Sequence, residues 1–506
     1  MFKKIVILYA AQLYRVAFPL FLVPLIIGLL GTERYGIVSF FTMLITLMGL
    51  LDAGISGTFI KLVATNKNNL VTFIKVIKLF IKVLCGFVIV AGFVSFAFNY
   101  FSLYIVTDWL QTTLSREETV YCIKLTGIIL ALLYLRSYLQ SFINGMERQD
   151  LIAIWNMFYT TAFYGGSYLI LSFYSNTLFA FFNTLLFLSI IDIIATLSCV
   201  AYVVIKQHRQ LIGCDEEKDK NSTDIISFIN IVKFSLQLSG LSMIWVIATQ
   251  VDKIALSTYT DLTLYTHYQI GSQLSAVVLA LTAPLSQFLL PRLSALVKEN
   301  NYNKFIELFS ISSVGYVVIL GPLVPYMCVY GNDLISLWLK NKDLGFAVNL
   351  YAKWLVSAAF FAGIMNFVFI LLYSKGQLKY HFYAYASYSA ITIPLTIIIA
   401  KLYGPEWLCI FYFIHTILFM ILWGGFCLGK EMIGYISLLF PLASVVLILS
   451  FLVFFIIQKL QIFISYRIIY VIFPPVVNVI IISTFLYFLR MPLMAAVRSI
   501  KLKKWY

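Results

Sequence analysis

The chain has 506 residues, of which 62% are hydrophobic and 11% charged, with a net charge of +15. Soluble domains carry about 25% charged residues, so a soluble catalytic or nucleic-acid-binding domain is excluded for most of its length. The most polar stretch, Lys206–Asp224, is only about 20 residues, well short of the size of a domain.

The apolar residues fall in runs of roughly 20, long enough to cross a bilayer as helix. In chain order the predicted spans are 5–30, 36–58, 83–105, 120–143, 151–174, 178–205, 230–256, 264–290, 305–329, 346–373, 382–403, 407–428, 433–457 and 468–489. The expectation is an all-α polytopic membrane protein of about 14 transmembrane helices. The first run has a charged start but no small-residue cleavage site, and Arg15 interrupts it. It reads as a span, not a removed signal. With the N-terminus inside, about 23 basic residues, from Lys3 to the tail Arg490–Lys504, fall in cytoplasmic segments and about 7 fall outside. That asymmetry predicts both termini in the cytoplasm. It also assigns the positive charge to orientation and lipid headgroups, with no role in binding nucleic acid.

The Lys206–Asp224 loop follows the sixth span and suggests a division. Residues 1–205 form an N-terminal six-helix lobe, 206–229 a cytoplasmic linker, 230–428 a C-terminal six-helix lobe, and 429–506 two additional helices with a basic cytoplasmic tail. A shift of 230 places Tyr35 on Tyr265 and Gly54 on Pro284, a faint internal repeat. Two six-helix halves are a common transporter plan, with substrate held between them.

Charges inside spans are costly and so carry the functional signal. Six bases stand in or at the edge of spans: Arg15, Lys124, Arg136, Lys233, Lys253 and Lys353. Three acids join them: Asp52, Asp192 and Asp252. Each lysine lies close enough to a span end to snorkel. Arg15 and Arg136 are deeper and point to a polar cavity. Asp52 is read either as the cap of a helix break at Asp52-Ala-Gly54 or as the partner of an arginine. Asp192 is the deepest acid and the best candidate for ion coupling or charge pairing. His415 reads as a packed neutral residue. Polar stripes run along span 2 (Ser39, Thr42, Thr46, Gly49), span 6 (Ser189, Asp192, Thr196), span 7 (Ser235, Ser239, Ser242, Thr249, Asp252) and span 8 (Tyr265, Tyr268, Ser272, Ser275, Thr282, Ser286). Helix packing also favours such residues, but a stripe that includes a charge favours a cavity. An excess of cations there suits an anionic headgroup, because arginine offers paired donors to phosphate or carboxylate oxygens.

Other chemistry finds little support. Gly424 to Lys430 fits the spacing of a phosphate loop, but Glu431 follows where Ser or Thr is needed. Asn221-Ser-Thr223 is a glycosylation triplet on the expected cytoplasmic side. The seven cysteines, Cys85, Cys122, Cys199, Cys214, Cys328, Cys409 and Cys427, have neither zinc nor disulfide spacing. No catalytic triad, metal site or cofactor site is expected.

Two stretches carry a family resemblance. One is Pro24-Leu-Ile-Ile-Gly-Leu-Leu-Gly31-Thr-Glu-Arg-Tyr35-Gly36 with Leu51-Asp52-Ala-Gly54 following. The other is Gln250-Val-Asp252-Lys253-Ile-Ala-Leu, followed by Tyr265, Tyr268, Ala283-Pro284 and Pro291-Arg292. They resemble the polysaccharide-biosynthesis branch of the multidrug/oligosaccharidyl-lipid/polysaccharide (MOP) exporter superfamily, the O-antigen or Wzx-type translocases. Here Pro284 directly follows Ala283, and Ala255-Leu256 replace the usual aliphatic-Gly pair. The resemblance implies two MATE-like six-helix lobes plus two C-terminal helices, in the inner (cytoplasmic) membrane. It implies a flippase that moves a polyprenyl-diphosphate-linked oligosaccharide, the O-antigen or capsule repeat unit, to the outer leaflet by alternating access. Membrane lipids, a polysaccharide polymerase and a chain-length regulator are the partners it suggests. By position, Arg15, Arg136, Lys124, Lys253 and Lys353 are the candidates to bind the headgroup. An ion-coupled multidrug or small-molecule exporter and a peptidoglycan lipid-precursor flippase remain open within the fold. A membrane glycan polymerase or ligase is the rival from another class, and the short outer loops count against it. A purely structural scaffold would not need the intramembrane charges.

Overall fold

The computed structural model describes residues 2–52, 54–212, 228–460 and 467–502, with side chains described outside 2–9, 228–242, 467–468, 488–496, 498–499, 501–502 and a few single positions such as Pro284. The centre of the linker (213–227, with Cys214 and the Asn221 triplet) and the side chains of Lys233, Ser235, Ser239 and Ser242 therefore lie outside the described residues.

The chain is helical almost throughout. In order run α1 (Phe2–Leu30), α2 (Thr32–Leu51), α3 (Ile55–Asn66), α4 (Leu70–Tyr100), α5 (Ser102–Tyr104), α6 (Arg116–Gly145), α7 (Gln149–Thr161), α8 (Ser167–Phe173), α9 (Leu178–Ile212), α10 (Phe228–Tyr259), α11 (Leu262–Ala280), α12 (Thr282–Lys298), α13 (Tyr302–Leu320), α14 (Leu323–Leu339), α15 (Lys342–Ser374), α16 (Leu378–Phe419), α17 (Gly425–Glu431), α18 (Ile436–Leu460) and α19 (Arg467–Ser499). A two-residue antiparallel ribbon joins Met432–Ile433 (β1) to Lys501–Leu502 (β2).

Ten stretches among the described residues are long and apolar enough to cross a membrane on those criteria alone. One of them, Lys379–Glu431, holds two spans, because α16 leaves helical geometry at Gly404 ahead of Pro405. The more polar α7–α8, α10 and α11–α12 complete the expected fourteen. The all-α polytopic class holds. A bilayer tolerates no unpaired backbone, so groups freed at a break must be satisfied locally, and a π-turn is one way to do so. Such π-turns occur at Ile105–Trp109, Ala162–Gly166 and Met420–Gly424.

The chain forms two compact units, Met1–Thr266 and His267–Tyr506. In the first, an aromatic column joins α3, α4 and α6. The Tyr138 ring stacks on Phe80 at 4.5 Å and Phe87 at 4.2 Å and meets Phe59 edge-on. Its hydroxyl donates to the Phe80 carbonyl at 3.1 Å, which satisfies the one polar atom in that stack. Helix α10 packs on α2 and α3.

The Gly31–Gly36 motif works as a structural corner here. Glu33 accepts from the Thr112 hydroxyl and from the Thr113 amide and hydroxyl, at 2.8–2.9 Å. Arg34 pairs with Glu118 at 3.6 Å, and Glu118 in turn accepts the Leu178 amide at the start of α9. Tyr35 is buried. A side chain at Gly36 would collide with Leu262 Cγ and Thr266 Oγ1, both 2.6 Å from an added Cβ, so only glycine lets α2 and α11 approach this closely.

In the second unit, α15 is buried over most of its length. Tyr316 stacks on Phe360 and donates to its carbonyl at 2.9 Å. Tyr326, Tyr330, Phe454 and Val471 join α14, α18 and α19. Glu431, the residue that breaks the phosphate-loop pattern, forms a buried ion pair with Lys375 at 3.0 Å.

Candidate functional site

Inside the first unit, a cavity of about 320 Å³ lies between α2, α6 and α7, with Thr46, Gly49, Asp52, Tyr134, Arg136, Gln140 and Tyr159 in its wall. Thr46 and Gly49 come from the stripe predicted along span 2. The sequence-predicted Asp52 and Arg136 meet here from helices far apart in the chain.

Arg136 is the centre of the cluster. Its Nε lies 2.8 Å from Asp192 Oδ2 on α9, with the Asp192 side chain 1% exposed and that of Arg136 15% exposed. The contact is a charge pair whose angle falls short of a hydrogen bond. Arg136 Nη2 also donates to Asn156 Oδ1, and its guanidinium lies 4.6 Å from the centre of the Tyr159 ring. Asp192 Oδ1 accepts from the Trp155 indole at 2.6 Å. Gln140, one helical turn from Arg136, reaches Asn156 Oδ1 at 3.5 Å. A buried ion pair is tolerable only when further hydrogen bonds satisfy its remaining groups, and Trp155 and Asn156 do that. Ser189, Asp192 and Thr196 are all buried, as one face of α9.

Arg15 on α1 is exposed and within electrostatic range of Arg136. Asp52 stands at the break between α2 and α3. Its carboxylate accepts the Ser56 amide at 3.3 Å and the Ser56 hydroxyl, which caps α3 after the left-handed Gly54 (φ 71°). Among the described residues, Asp52 and Arg136 line the cavity, and Asp192 and Arg15 add one acid and one base through their interactions with Arg136. An anionic guest would therefore have to compete with Asp192 for Arg136.

The other predicted residues stand elsewhere. Lys124 is half-buried on α6, roughly 18 Å along the helix axis from Arg136 at 1.5 Å per residue. Lys253 on α10 donates to the Thr249 carbonyl at 2.8 Å and lies 3.9 Å from the buried Asp252. Lys353 belongs to α15 of the second unit, with its ammonium 5.6 Å from the Trp354 ring. His415 is packed against Tyr388, which bonds its Nδ1. Among the described residues no group of three or more His, Cys, Asp or Glu could hold a metal.

Sequence reasoning missed Gln140, Trp155, Asn156 and Tyr159. A signal was present: Arg136 and Gln140 are four apart on α6, and Trp155, Asn156 and Tyr159 share one face of α7. The one charge on α7, Asp150, stands in its first turn beside Arg148, and nothing singled that face out.

Three comparisons with known proteins bear on this arrangement. The sequence profile of the polysaccharide biosynthesis protein family matches residues 1–297. Among curated proteins, none matches the sequence significantly. The fold is similar to that of the lipid II flippase MurJ in an inward closed conformation, with a TM-score of 0.70 and 14% identity over 96% of this chain and 99% of that one. It is also similar to an inward-facing multidrug resistance MATE family transporter of the MOP superfamily, with a TM-score of 0.60 and 13% identity over 82% of this chain and 94% of that one.

Proposed function

We propose a lipid-linked glycan flippase, on the premise that the chain belongs to the polysaccharide biosynthesis protein family. Its substrate is a polyprenyl-diphosphate-linked oligosaccharide, an O-antigen or capsule repeat unit. It carries the headgroup from the cytoplasmic to the outer leaflet of the inner membrane by alternating access between lobes 1–205 and 230–428. Both termini are cytoplasmic, and the protein is a transporter, not an enzyme. A polymerase and a chain-length regulator would act on the product.

One observation carries the reading: a cavity whose largely apolar wall carries Arg136, Asp52 and Gln140 sits within a bundle of membrane helices. Guanidinium forks match phosphate oxygens in pairs. A diphosphate entering the cavity would take over Arg136 from Asp192, with Arg15 adding a second cation. Lys124, Lys253 and Lys353 would contact the substrate at other stages of its passage. Asp52, Asp192 and Asp252 are the candidates for ion coupling or charge pairing.

The balance of acids and bases around the cavity favours a second reading, an ion-coupled exporter of small molecules. A peptidoglycan-precursor flippase would use the same cations. The test is expression in a bacterial strain lacking its own O-antigen flippase. Restored surface polymer, lost again in an Arg15→Gln/Arg136→Gln double variant of equal abundance, is the expected result. Drug resistance or restored peptidoglycan-precursor export, without surface polymer, would refute the glycan reading.

A further inference from the structure

Helix α4 is longer than a bilayer requires. Its 31 residues extend about 46 Å, against a hydrocarbon core of about 30 Å. In its first half Lys75, Lys78 and Lys82 are all exposed. Steps of three and four place them on one face of the helix. Further along, the same face carries Ile89, Phe93, Phe96 and Tyr100, each 65–74% exposed. Exposed apolar side chains on a membrane helix are covered by lipid tails, which are as apolar as they are. The three lysines therefore continue a lipid-facing row into the headgroup layer. Helix α9 repeats the pattern, with exposed Ile194 and Tyr202 ahead of exposed Lys206 and Arg209. The Lys206 ammonium lies 5.9 Å from the centre of the Tyr202 ring, and tyrosine collects at the membrane–water interface. The two helix ends share one core, because Val203 of α9 belongs to the same buried cluster as Phe73 and Val76 of α4. Gln207 Nε2 also donates to the Lys67 carbonyl, in the turn before α4, at 2.8 Å.

No acid accompanies these five cations. Helix α4 contains no Asp or Glu, and α9 contains none after the buried Asp192. Among the described residues none of the five forms an ion pair, whereas other bases at nearby helix ends do. Lys67 pairs with Glu147 at 2.8 Å and Arg148 with Asp150 at 3.3 Å. Lys75 and Lys82 are about 10 Å apart along the axis, and Lys206 and Arg209 about 4.5 Å. The headgroup layer is roughly 5–7 Å deep on each side of the core, so the cations span it. An orienting excess of loop lysines needs no such arrangement. It neither sets the lysines on a lipid-facing row nor keeps acids away from them.

We propose that Lys75, Lys78 and Lys82 of α4, with Lys206 and Arg209 of α9, form a binding face for the headgroups of anionic phospholipids. The face selects by charge. A zwitterionic headgroup offers a phosphate but brings its own cation, which the lysines repel, whereas an anionic headgroup leaves its phosphate to them. Each Lys or Arg beside an anionic surface contributes about fivefold in association. None of the five residues lines the Arg136 cavity, so the proposal holds whatever that cavity carries.

The experiment uses the full chain in phosphatidylcholine nanodiscs with a trace of phosphatidylglycerol that carries a diazirine near the start of one acyl chain. Labelling should map to 71–89 and 194–212. Unlabelled phosphatidylglycerol should displace it and added phosphatidylcholine should not. Salt at 1 M, where the Debye length is about 3 Å, should weaken it. Lys75→Gln/Lys78→Gln/Lys82→Gln, at wild-type thermal stability, should lower the displaceable labelling by at least about tenfold, and Arg at the same three positions should retain it. Lys298→Gln/Lys304→Gln/Lys379→Gln removes the same charge from exposed positions of the second unit and should leave labelling of α4 unchanged. Displacement by phosphatidylcholine, labelling that maps to other helices, full labelling in the first Gln variant, or equal loss in the second would each overturn the proposal. A probe at position 78 that crosslinks in cells to an acidic soluble protein, with no lipid selectivity in nanodiscs, would give the face to a protein partner instead.

Discussion

The Arg136–Asp192 pair offers a quantitative test of how the cluster is built. Asp192 is 1% exposed and Arg136 15%, so removing one partner strands a charge in a poorly solvated place. Breaking such a pair costs about 3–5 kcal/mol. The first compact unit spans Met1–Thr266. At an unfolding entropy of about 2.1 cal/mol/K per residue, a unit of that length has an entropy near 0.56 kcal/mol/K. Asp192→Asn or Arg136→Gln alone should therefore lower the melting temperature of that unit by about 5–9 °C. The double variant has no stranded charge and should recover most of the loss. The assay is the temperature at which detergent-solubilised protein loses its monodisperse peak, with all four members of the cycle measured at one protein concentration. A double variant no more stable than the worse single would refute the pairing argument. So would Asp192→Asn at wild-type stability, because the charge then has another partner.

Three further outcomes follow from the geometry. Glu431→Gln weakens the charged hydrogen bond to the buried Lys375 and should destabilise the second unit by about 1.5–3 kcal/mol, and Lys375→Met in the same chain should restore much of that; thermal melts of the pair and the double check it. Asp52→Ala removes the cap on α3 and should cost about 1 kcal/mol, whereas Asp52→Asn keeps an acceptor oxygen and should stay close to wild type; equal losses in the two melts would mean that Asp52 acts through its charge. Gly36→Ala pushes a Cβ into Leu262 and Thr266 and should cost about 1–3 kcal/mol, against no collision for Gly28→Ala, whose added Cβ meets nothing within 4 Å; thermal stability and membrane yield of the two variants separate them.

Much of this molecule is visible in its residue order. The spans follow from composition, because a bilayer requires each crossing segment to be apolar and to satisfy its own backbone. The breaks at Gly31, Gly54 and Gly404-Pro405 are local backbone chemistry and sit in the sequence as punctuation. The scarcity of charge makes Arg136 and Asp192 stand out along the chain, since intramembrane charge is costly enough to need a reason. Their partnership is not legible there. They lie on α6 and α9, 56 positions apart, and pairing depends on how the faces of two helices are turned, which hydropathy does not encode. The same applies to Trp155, Asn156 and Tyr159, neutral residues whose importance comes only from what α7 packs against. It also applies to the net charge of the cavity. Residue order shows more bases than acids within the spans, but the fold sets Asp192 against Arg136, because a buried cation must find a counter-charge and only tertiary packing chooses which one.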